Sequence, residues 1–460
     1  DLHRRRHSFP TRRSSDLTIT NVRPRSYPKG CSIELTRRAQ FLAIDAEAAS
    51  DHEKEHVFPA VYNRTPVDRL LNLACAGDFS DLDVACDDFR QLALLGYVLG
   101  QRPSTWHVSD LGTLRDLCAR FAKAYPFSGR SGAYTIAEVG GNHEGDFEYA
   151  KRLVSLACST SVDAVKLQVY TPDLLVNPSV DPNRHAHFKR FALKPEQYRE
   201  LFSIIRQSGK HVSASVWSTL ELAEFQEALD FIKIGSGDLT DALMLDAIRD
   251  TGKPVILSTG LSTMAEIEWA MARLDQANRP LRTGLLQCTS MYPIPDMDSN
   301  LLVMQAFRQR FGCILGYSDH TVGAKALELS VAAGARIQEF HFTDSREGKS
   351  FRDHFVSLTP DETESLIQAN IKTMTLLGTD QKAPAVSELV AGHTRSFRKG
   401  VYLKRDMRAG EVVRREDLIT LRPEAGISAS RADDVIGRTL LTAVAALAPL
   451  DTSFFAAPEK

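Results

Sequence analysis

Two lysines, Lys166 and Lys233, and two histidines, His320 and His341, stand in or at the polar ends of short apolar runs. Neutral imidazoles ligate divalent ions such as Mn, Fe, Co and Zn, and a pair with open positions suits a metal that polarises a carbonyl. A lysine within an apolar run is costly unless its ammonium meets an anion or reaches the solvent-facing end. Hydroxyls recur at the same run ends, as Ser215, Ser236, Ser258, Ser290 and Ser318. Lysines, hydroxyls and free backbone amides together suit a phosphate or carboxylate, although Ser258–Gly260 alone also reads as an ordinary turn. Glu138 and Asp238 close two further runs, where an acid can orient a hydroxyl or move a proton beside a metal.

The elements that must position these groups are eight apolar runs separated by helix-like stretches. They read AYTIAEVG (133–140), AVKLQVY (164–170), HVSASVW (211–217), FIKIGSGD (231–238), PVILSTG (254–260), TGLLQCTSMY (283–292), CILGYSDH (313–320) and RIQEFHFT (336–343). Buried parallel strands are apolar on both faces because helices cover the sheet. Eight strand–helix units predict an α/β chain built on a (β/α)8 barrel, over about 126–380, with its active site at the strand ends. Alternation along the second run puts Lys166 and Gln168 on one face, with Val165 and Leu167 on the other.

At 460 residues the chain exceeds one core and predicts two or three domains. A net charge of −2 argues against a general nucleic-acid binder. Seven scattered cysteines with no C-x-x-C pair fit reduced thiols and a cytoplasmic protein. No apolar run approaches the roughly 18–20 residues of a membrane span, so no membrane partner is expected. HSFPTRRSSDL (7–17) matches a translated sequencing adapter, so residues 1–17 are set aside and the gene is expected to continue upstream.

Residues 18–125 differ in character. SIELTRRAQFLAIDAEA (32–48) and DDFRQLALLGYVLG (87–100) have helical spacing, whereas LLNLACAG (70–77) and LDVACD (82–87) read as short strands. YPKGCSIEL, EKEHVFPAVYNR and SDLDVACDDFRQLALL, in that order, resemble the C-terminal third of the CMP-sugar cytidylyltransferases. Glu55, His56, Val57 and Pro59 match that family's Glu-His-Val-Thr-Pro segment. Its glycine-rich phosphate loop has no counterpart here, so a truncated fragment without nucleotidyl transfer is expected, followed by a linker helix within 103–132. At the other end, residues 395–460 hold short β-like pieces punctuated by Gly and Pro, which predict a small compact β-rich domain. The linker 377–395 is polar and expected on the surface.

IAEVGGNHEGD, VKLQVY, FIKIGSGD, VILSTG, LLQCTSMYP, GYSDHT, EFHFTD and RDHFVSLTP closely resemble, in order, the sialic acid synthases. That family includes the N-acetylneuraminate, legionaminic and pseudaminic acid synthases. The C-terminal segment resembles their antifreeze-like SAF domain. The resemblance implies a transferase that condenses phosphoenolpyruvate with an N-acetylated aldose, giving a nine-carbon 2-keto acid and phosphate. It implies that His320 and His341 hold a divalent metal, Mn or Mg. Lys166, Ser215, Lys233, Ser236, Ser258, Ser290 and Ser318 are then expected at phosphoenolpyruvate. Gln168, Tyr292 and Asp353 face the sugar, while Glu138 and Asp238 assist near the metal and the attacking water. Arg422, in LRPEAGIS, is expected to enter a partner subunit's barrel in a domain-swapped homodimer.

The departures from the family pattern cluster on the sugar side. SASVWS stands where Ser-Thr-Pro-Phe is common, Asp238 where Glu is frequent, and Phe340 where a basic residue usually precedes the second histidine. Gln287 and Ser290 stand where many bacterial members have His and Asn, and SREGKSFRDHF (345–355) has its own form. Two other readings stay open: a Kdo- or DAHP-type synthase, against which the SAF-like tail argues, and a non-catalytic sugar-binding descendant, against which both His and both Lys argue.

Overall fold

The computed structural model describes residues 111–456 continuously and, before them, 87–101, Leu82 and three short strands at 18–20, 34–35 and 70–72. Expectations for the adapter-like residues 1–17 and for Glu55–Pro59 lie outside the described residues. The three strands form one small sheet, with 34–35 antiparallel and 70–72 parallel to 18–20. Glu34–Leu35 corrects the helix expected over 32–48 at that point: the sheet partner overrides the helical spacing. The expected helix near 87–100 is present as α1 (Phe89–Gln101), and α2 (Leu111–Ala124) packs on it through Val98, Leu111, Leu114 and Leu117.

The eight runs all become strands: β1 (Tyr134–Glu138), β2 (Ala164–Val169), β3 (His211–Val216), β4 (Phe231–Ile234), β5 (Val255–Ser258), β6 (Thr283–Cys288), β7 (Ile314–Asp319) and β8 (Ile337–His341). All neighbours are parallel, and β8 closes on β1 to complete a barrel. Helices between the strands include α3 (Phe147–Ser159), α4 (Pro182–Phe191), α5 (Pro195–Gln207), α6 (Thr219–Phe225), α7 (Ala242–Asp250), α8 (Met264–Arg273), α9 (Val303–Arg310) and α10 (Lys325–Ala333), and α11 (Pro360–Leu377) follows β8. Local chemistry fixes where several of them begin. Asp146 caps α3 by accepting from Tyr149 N at 3.0 Å, and Thr263 with Glu266 forms a capping box on α8.

Alternation sorts each strand into two cores. Outward residues such as Val165, Leu167, Ala214 and Ile232 pack under the helices. Inward residues Tyr134, Ile136, Ala164, Phe231, Ile256, Leu286 and Ile337 fill the lower barrel, and Phe127 plugs its floor at ring separations of 5.5 Å from Tyr134 and 5.4 Å from Phe231. The inward positions are therefore apolar at the bottom and polar at the top, so any ligand space opens at the C-terminal rim.

The chain divides into two units, residues 1–377 and 378–460. In the second, β9 (Gly400–Leu403) pairs antiparallel with β10 (Leu418–Leu421). Its own core gathers Val401, Leu403, Met407, Val413, Ile427, Leu440, Leu450 and Phe455. This is the small β-rich fold that the Gly- and Pro-punctuated pieces predict.

Candidate active site

Strand register assembles the site before any side chain is considered. Glu138 on β1 lies beside both His341 on β8 and Lys166 on β2. Further round, Gln168 pairs with Ser215, Ser215 with Lys233, and Ser318 with Glu339. These residues line a cavity of about 730 Å³ at the rim. Every site residue expected in the barrel faces it. Glu138, Lys166, Gln168, Ser215 and Lys233 come from the first four strands, and Ser236 and Asp238 from the turn after β4. Ser258, Ser290, Tyr292, Ser318, His320, His341 and Asp353 come from the remainder. Asp238 lies not at a strand end but in a short 3-10 turn, because β4 stops at Ile234. Arg422 belongs to the second unit, just after β10, and is exposed there.

One half of the cavity is a cationic, hydroxyl-lined pocket. Lys166 Nζ donates to Ser215 Oγ at 3.3 Å and pairs with Oε2 of the Glu138 carboxylate, whose Oε1 is buried without a hydrogen-bond partner. Lys233 Nζ donates to the Ile234 carbonyl at 3.1 Å and lies 3.6 Å from Glu339. Burial pushes the Lys166 ammonium down to about 8, with Lys233 adding repulsion and Glu339 opposing both. Ser258 Oγ is buried and unpartnered, and Gly260 N donates to Ser236 Oγ at 3.0 Å. A buried hydroxyl left without a partner is costly unless a ligand supplies one.

Aromatic and imidazole groups form the other half. The His320 and His341 rings lie 5.3 Å apart, and Tyr292 stacks on His320 at 4.0 Å. Burial lowers both histidines; His320 and Lys166 then push His341 down further, well below the ordinary imidazole range. Both are therefore neutral at pH 7, the form that ligates metal. His320 Nδ1 lies 3.1 Å from the Thr289 carbonyl and donates to it, which leaves Nε2 as the ligating atom. His341 Nδ1 is buried without a partner. Among the described residues no three His, Cys, Asp or Glu side chains converge as a metal cage. The pair therefore suits an ion that keeps most of its positions open for substrate or water.

Three features of the site escape a reading by motif. Glu339 is buried two residues before His341, on the same strand face, and accepts from Ser318 Oγ at 3.3 Å. Burial alone raises its carboxyl, but Lys166, Lys233 and the two histidines outweigh that and hold it below the ordinary range. Strand alternation from His341 was the available signal. Trp217 donates from its indole nitrogen to Asp238 at 2.7 Å, and burial raises the Asp238 carboxyl to about 6 against the pull of Trp217 and Lys233. Helix α4 covers the rim: Phe188 and Trp217 both pack on Tyr170, at 5.1 and 5.3 Å between ring centroids.

Comparison with known proteins gives the family. Residues 153–382 match the NeuB family and residues 398–456 match the SAF domain. The chain is 32% identical to the N,N'-diacetyllegionaminic acid synthase of Legionella pneumophila, over 67% of this chain and 90% of that protein. It is 27% identical to the pseudaminic acid synthase of Helicobacter pylori, over 68% of this chain and 95% of that one. The crystal structure of an N-acetylneuraminic acid synthetase from Leptospira borgpetersenii in complex with citrate aligns at TM-score 0.53 and 28% identity. That alignment spans 57% of this chain and 90% of the other.

Proposed function

The chain belongs to the NeuB family, and from that premise we propose that it joins phosphoenolpyruvate to an N-acetylated aldose, releasing phosphate and a nine-carbon 2-keto acid. The observation that carries this reading is the division of one cavity into a lysine–serine half and a histidine half. Lys166 and Lys233, with Ser215, Ser236, Ser258, Ser290 and Ser318, hold the phosphate and carboxylate of phosphoenolpyruvate. Fixed charges in so buried a pocket stabilise a departing phosphate more than they do in water. Gln168, Tyr292 and Asp353 orient the open-chain sugar so that its aldehyde carbon faces C3 of phosphoenolpyruvate.

His320 and His341 hold a divalent ion, Mn or Mg, which when bound supplies polarisation of the aldehyde oxygen. C3 attacks the aldehyde carbon, positive charge develops at C2, and the new alkoxide is neutralised by the proton released when water adds there. Glu339 and Glu138 flank that charge, and Glu138, whose Oε1 has no hydrogen-bond partner, takes the proton of the water that adds at C2. The tetrahedral intermediate then expels phosphate by cleavage of its C2–O bond. Asp238, steered by Trp217, binds on the sugar side.

The same reading includes a domain-swapped homodimer in which Arg422 enters the partner's barrel, and a cytoplasmic location. No helix among the described residues is long and apolar enough to cross a membrane. The direct test is phosphate release from phosphoenolpyruvate with Mn across a panel of N-acetylated hexosamines and 2,4-diacetamido sugars. Turnover with one acceptor and formation of a nine-carbon keto acid support the reading. A folded, Mn-binding protein that is silent across the panel refutes it.

A further inference from the structure

A second cavity of about 600 Å³ adjoins the first. Arg184, His187, Phe188, Phe351 and Arg352 line both, so the two share a wall. Arg190, Glu144 and Ser350 line the second alone. Three arginines thus line one chamber, and their charge is largely unopposed. Among the described residues neither Arg184 nor Arg190 has a carboxylate partner; they lie over the rings of Phe188 and Phe191 instead. Arg352 pairs with its neighbour Asp353 at 3.2 Å, and the acid on the chamber wall, Glu144, lies 3.5 Å from His354 Nε2.

This cationic wall sits on a packed element. Arg184, His187, Phe188 and Phe191 recur at helical spacing on α4, which turns them to one side. That side is fixed against the 351 loop, with ring separations of 6.0 Å for His187–Phe351 and 4.9 Å for Phe191–Phe351. The chamber also begins close to the histidine pair. Tyr292 stacks on His320 at 4.0 Å, and the Arg352 guanidinium lies 4.6 Å from the other partner of that stack, the Tyr292 ring. An extended six-carbon chain spans about 6 Å, from C–C bonds of about 1.5 Å. A sugar whose aldehyde meets the histidines therefore has its far end at the chamber.

We propose that the acceptor is an anionic amino sugar, with a phosphate on the carbon farthest from its aldehyde, held in this chamber by Arg184, Arg190 and Arg352. The proposal rests on the synthase reading above and adds the chemical class of its second substrate. Guanidinium forks match phosphate oxygens in geometry and charge, and they remain charged at every working pH.

The test compares N-acetylmannosamine with its 6-phosphate as acceptors, by phosphate release from phosphoenolpyruvate with Mn, in the wild type and in Arg190→Ala. Arg190 lines the chamber and not the main cavity. The expected result is a wild-type kcat/KM at least tenfold higher for the 6-phosphate. Arg190→Ala lowers that value about tenfold, mostly through KM, as loss of one charge-assisted contact implies, while the neutral sugar changes less than twofold. A wild-type preference for the neutral sugar overturns the proposal. So does an equal loss for both sugars, which would make the arginines a steering surface for phosphoenolpyruvate. If neither sugar releases phosphate but a neutral 2,4-diacetamido sugar does, the synthase reading stands and the proposal is overturned. If the whole panel is silent, the synthase reading is what fails, and calorimetric binding of the 6-phosphate decides the chamber. Binding that weakens about tenfold in Arg190→Ala upholds it, and no binding to the wild type overturns it.

Discussion

The indole nitrogen of Trp217 donates to the Asp238 carboxylate at 2.7 Å, joining the end of β3 to the turn after β4. These are two of the positions at which the chain departs from the usual family pattern. The shorter acid reaches less far than Glu, and the larger aromatic brings a donor to it. The two departures thus act as one unit on the sugar side. Burial raises the Asp238 carboxyl to about 6, and the Trp217 hydrogen bond favours the ionised form. Removing that donor lets the carboxyl rise further. Trp217→Phe is therefore expected to move the acid limb of the kcat/KM profile upward by about one pH unit, since a hydrogen bond to a charged group is worth about 1.5–3 kcal/mol and one unit is about 1.4 kcal/mol. A pH–rate profile on both proteins checks it; coincident acid limbs would break the link between Trp217 and Asp238.

Lys166 gives the opposite limb. Its ammonium is brought down to about 8, first by burial and then by Lys233, with Glu339 opposing. The protonated form is the one that binds an anion, so the effect is present below that pH and lost above it. In the free enzyme, kcat/KM for phosphoenolpyruvate should fall as pH rises through about 8. At saturating phosphoenolpyruvate the bound anion keeps the lysine protonated, so kcat should hold to higher pH. Lys166→Met should lower kcat/KM by at least about 100-fold, because it also leaves Glu138 and Glu339 short of a counter-charge in a buried site. Steady-state kinetics from pH 6 to 10 separate the two parameters, and a flat kcat/KM would show that this lysine does not titrate there.

Much of this was legible in the sequence because the barrel writes its period plainly. Each strand is a continuous apolar run, and the inward polar residues Lys166, Gln168 and His341 interrupt those runs at the rim. Glu339 was hidden by its company: flanked by Gln338 and Phe340, it reads as one more polar residue on a strand unless alternation is counted back from His341, and its approach to Lys233 and Ser318 gives it its role. The Trp217–Asp238 bond joins the residue after β3 to the turn after β4, so no local spacing announces it. The chamber arginines were equally invisible, because an exposed Arg on a helix looks like any solvated charge until the 351 loop packs beside it. At Glu34–Leu35 helical spacing misled, since two residues of sheet pairing outweigh a periodicity that depends on a packed apolar face.

The histidine pair predicts how metal and fold separate. His341 is buried, neutral and without a hydrogen bond at Nδ1, so it adds little to the internal hydrogen bonding of the barrel. His341→Ala should abolish metal-dependent turnover, a loss of at least about 1,000-fold if the ion supplies several kcal/mol of charge stabilisation. Stability should fall only by the cost of a small cavity, about 1–3 kcal/mol. Circular dichroism, thermal melting and Mn titration read the two effects apart. Wild-type Mn affinity in the folded variant would remove His341 from the metal assignment, and full turnover without bound Mn would remove the ion from the reaction.

Gly140 tests whether the cavity centre is shaped by backbone as well as by side chains. Its φ of +53° lies in the left-handed region, and a Cβ there would stand 3.2 Å from Glu138 Oε1, 3.3 Å from Gln168 Nε2 and 3.3 Å from His341 Cε1. Those three residues belong to three neighbouring strands, so one methyl group would press on the acid, the amide and the imidazole together. Backbone strain alone costs about 1–2 kcal/mol for a non-glycine residue in this conformation. The contacts fall between ordinary packing and overlap, so the side chains must yield by a few tenths of an ångström. An active site tolerates that far less well than a core, because reacting groups misplaced by about 1 Å lose about 100-fold in rate. Gly140→Ala should therefore lower kcat about 10- to 100-fold while the melting temperature falls only a few degrees. Wild-type kcat in that variant would place the reacting atoms away from the β1 end, and with them the roles given to Glu138 and His341.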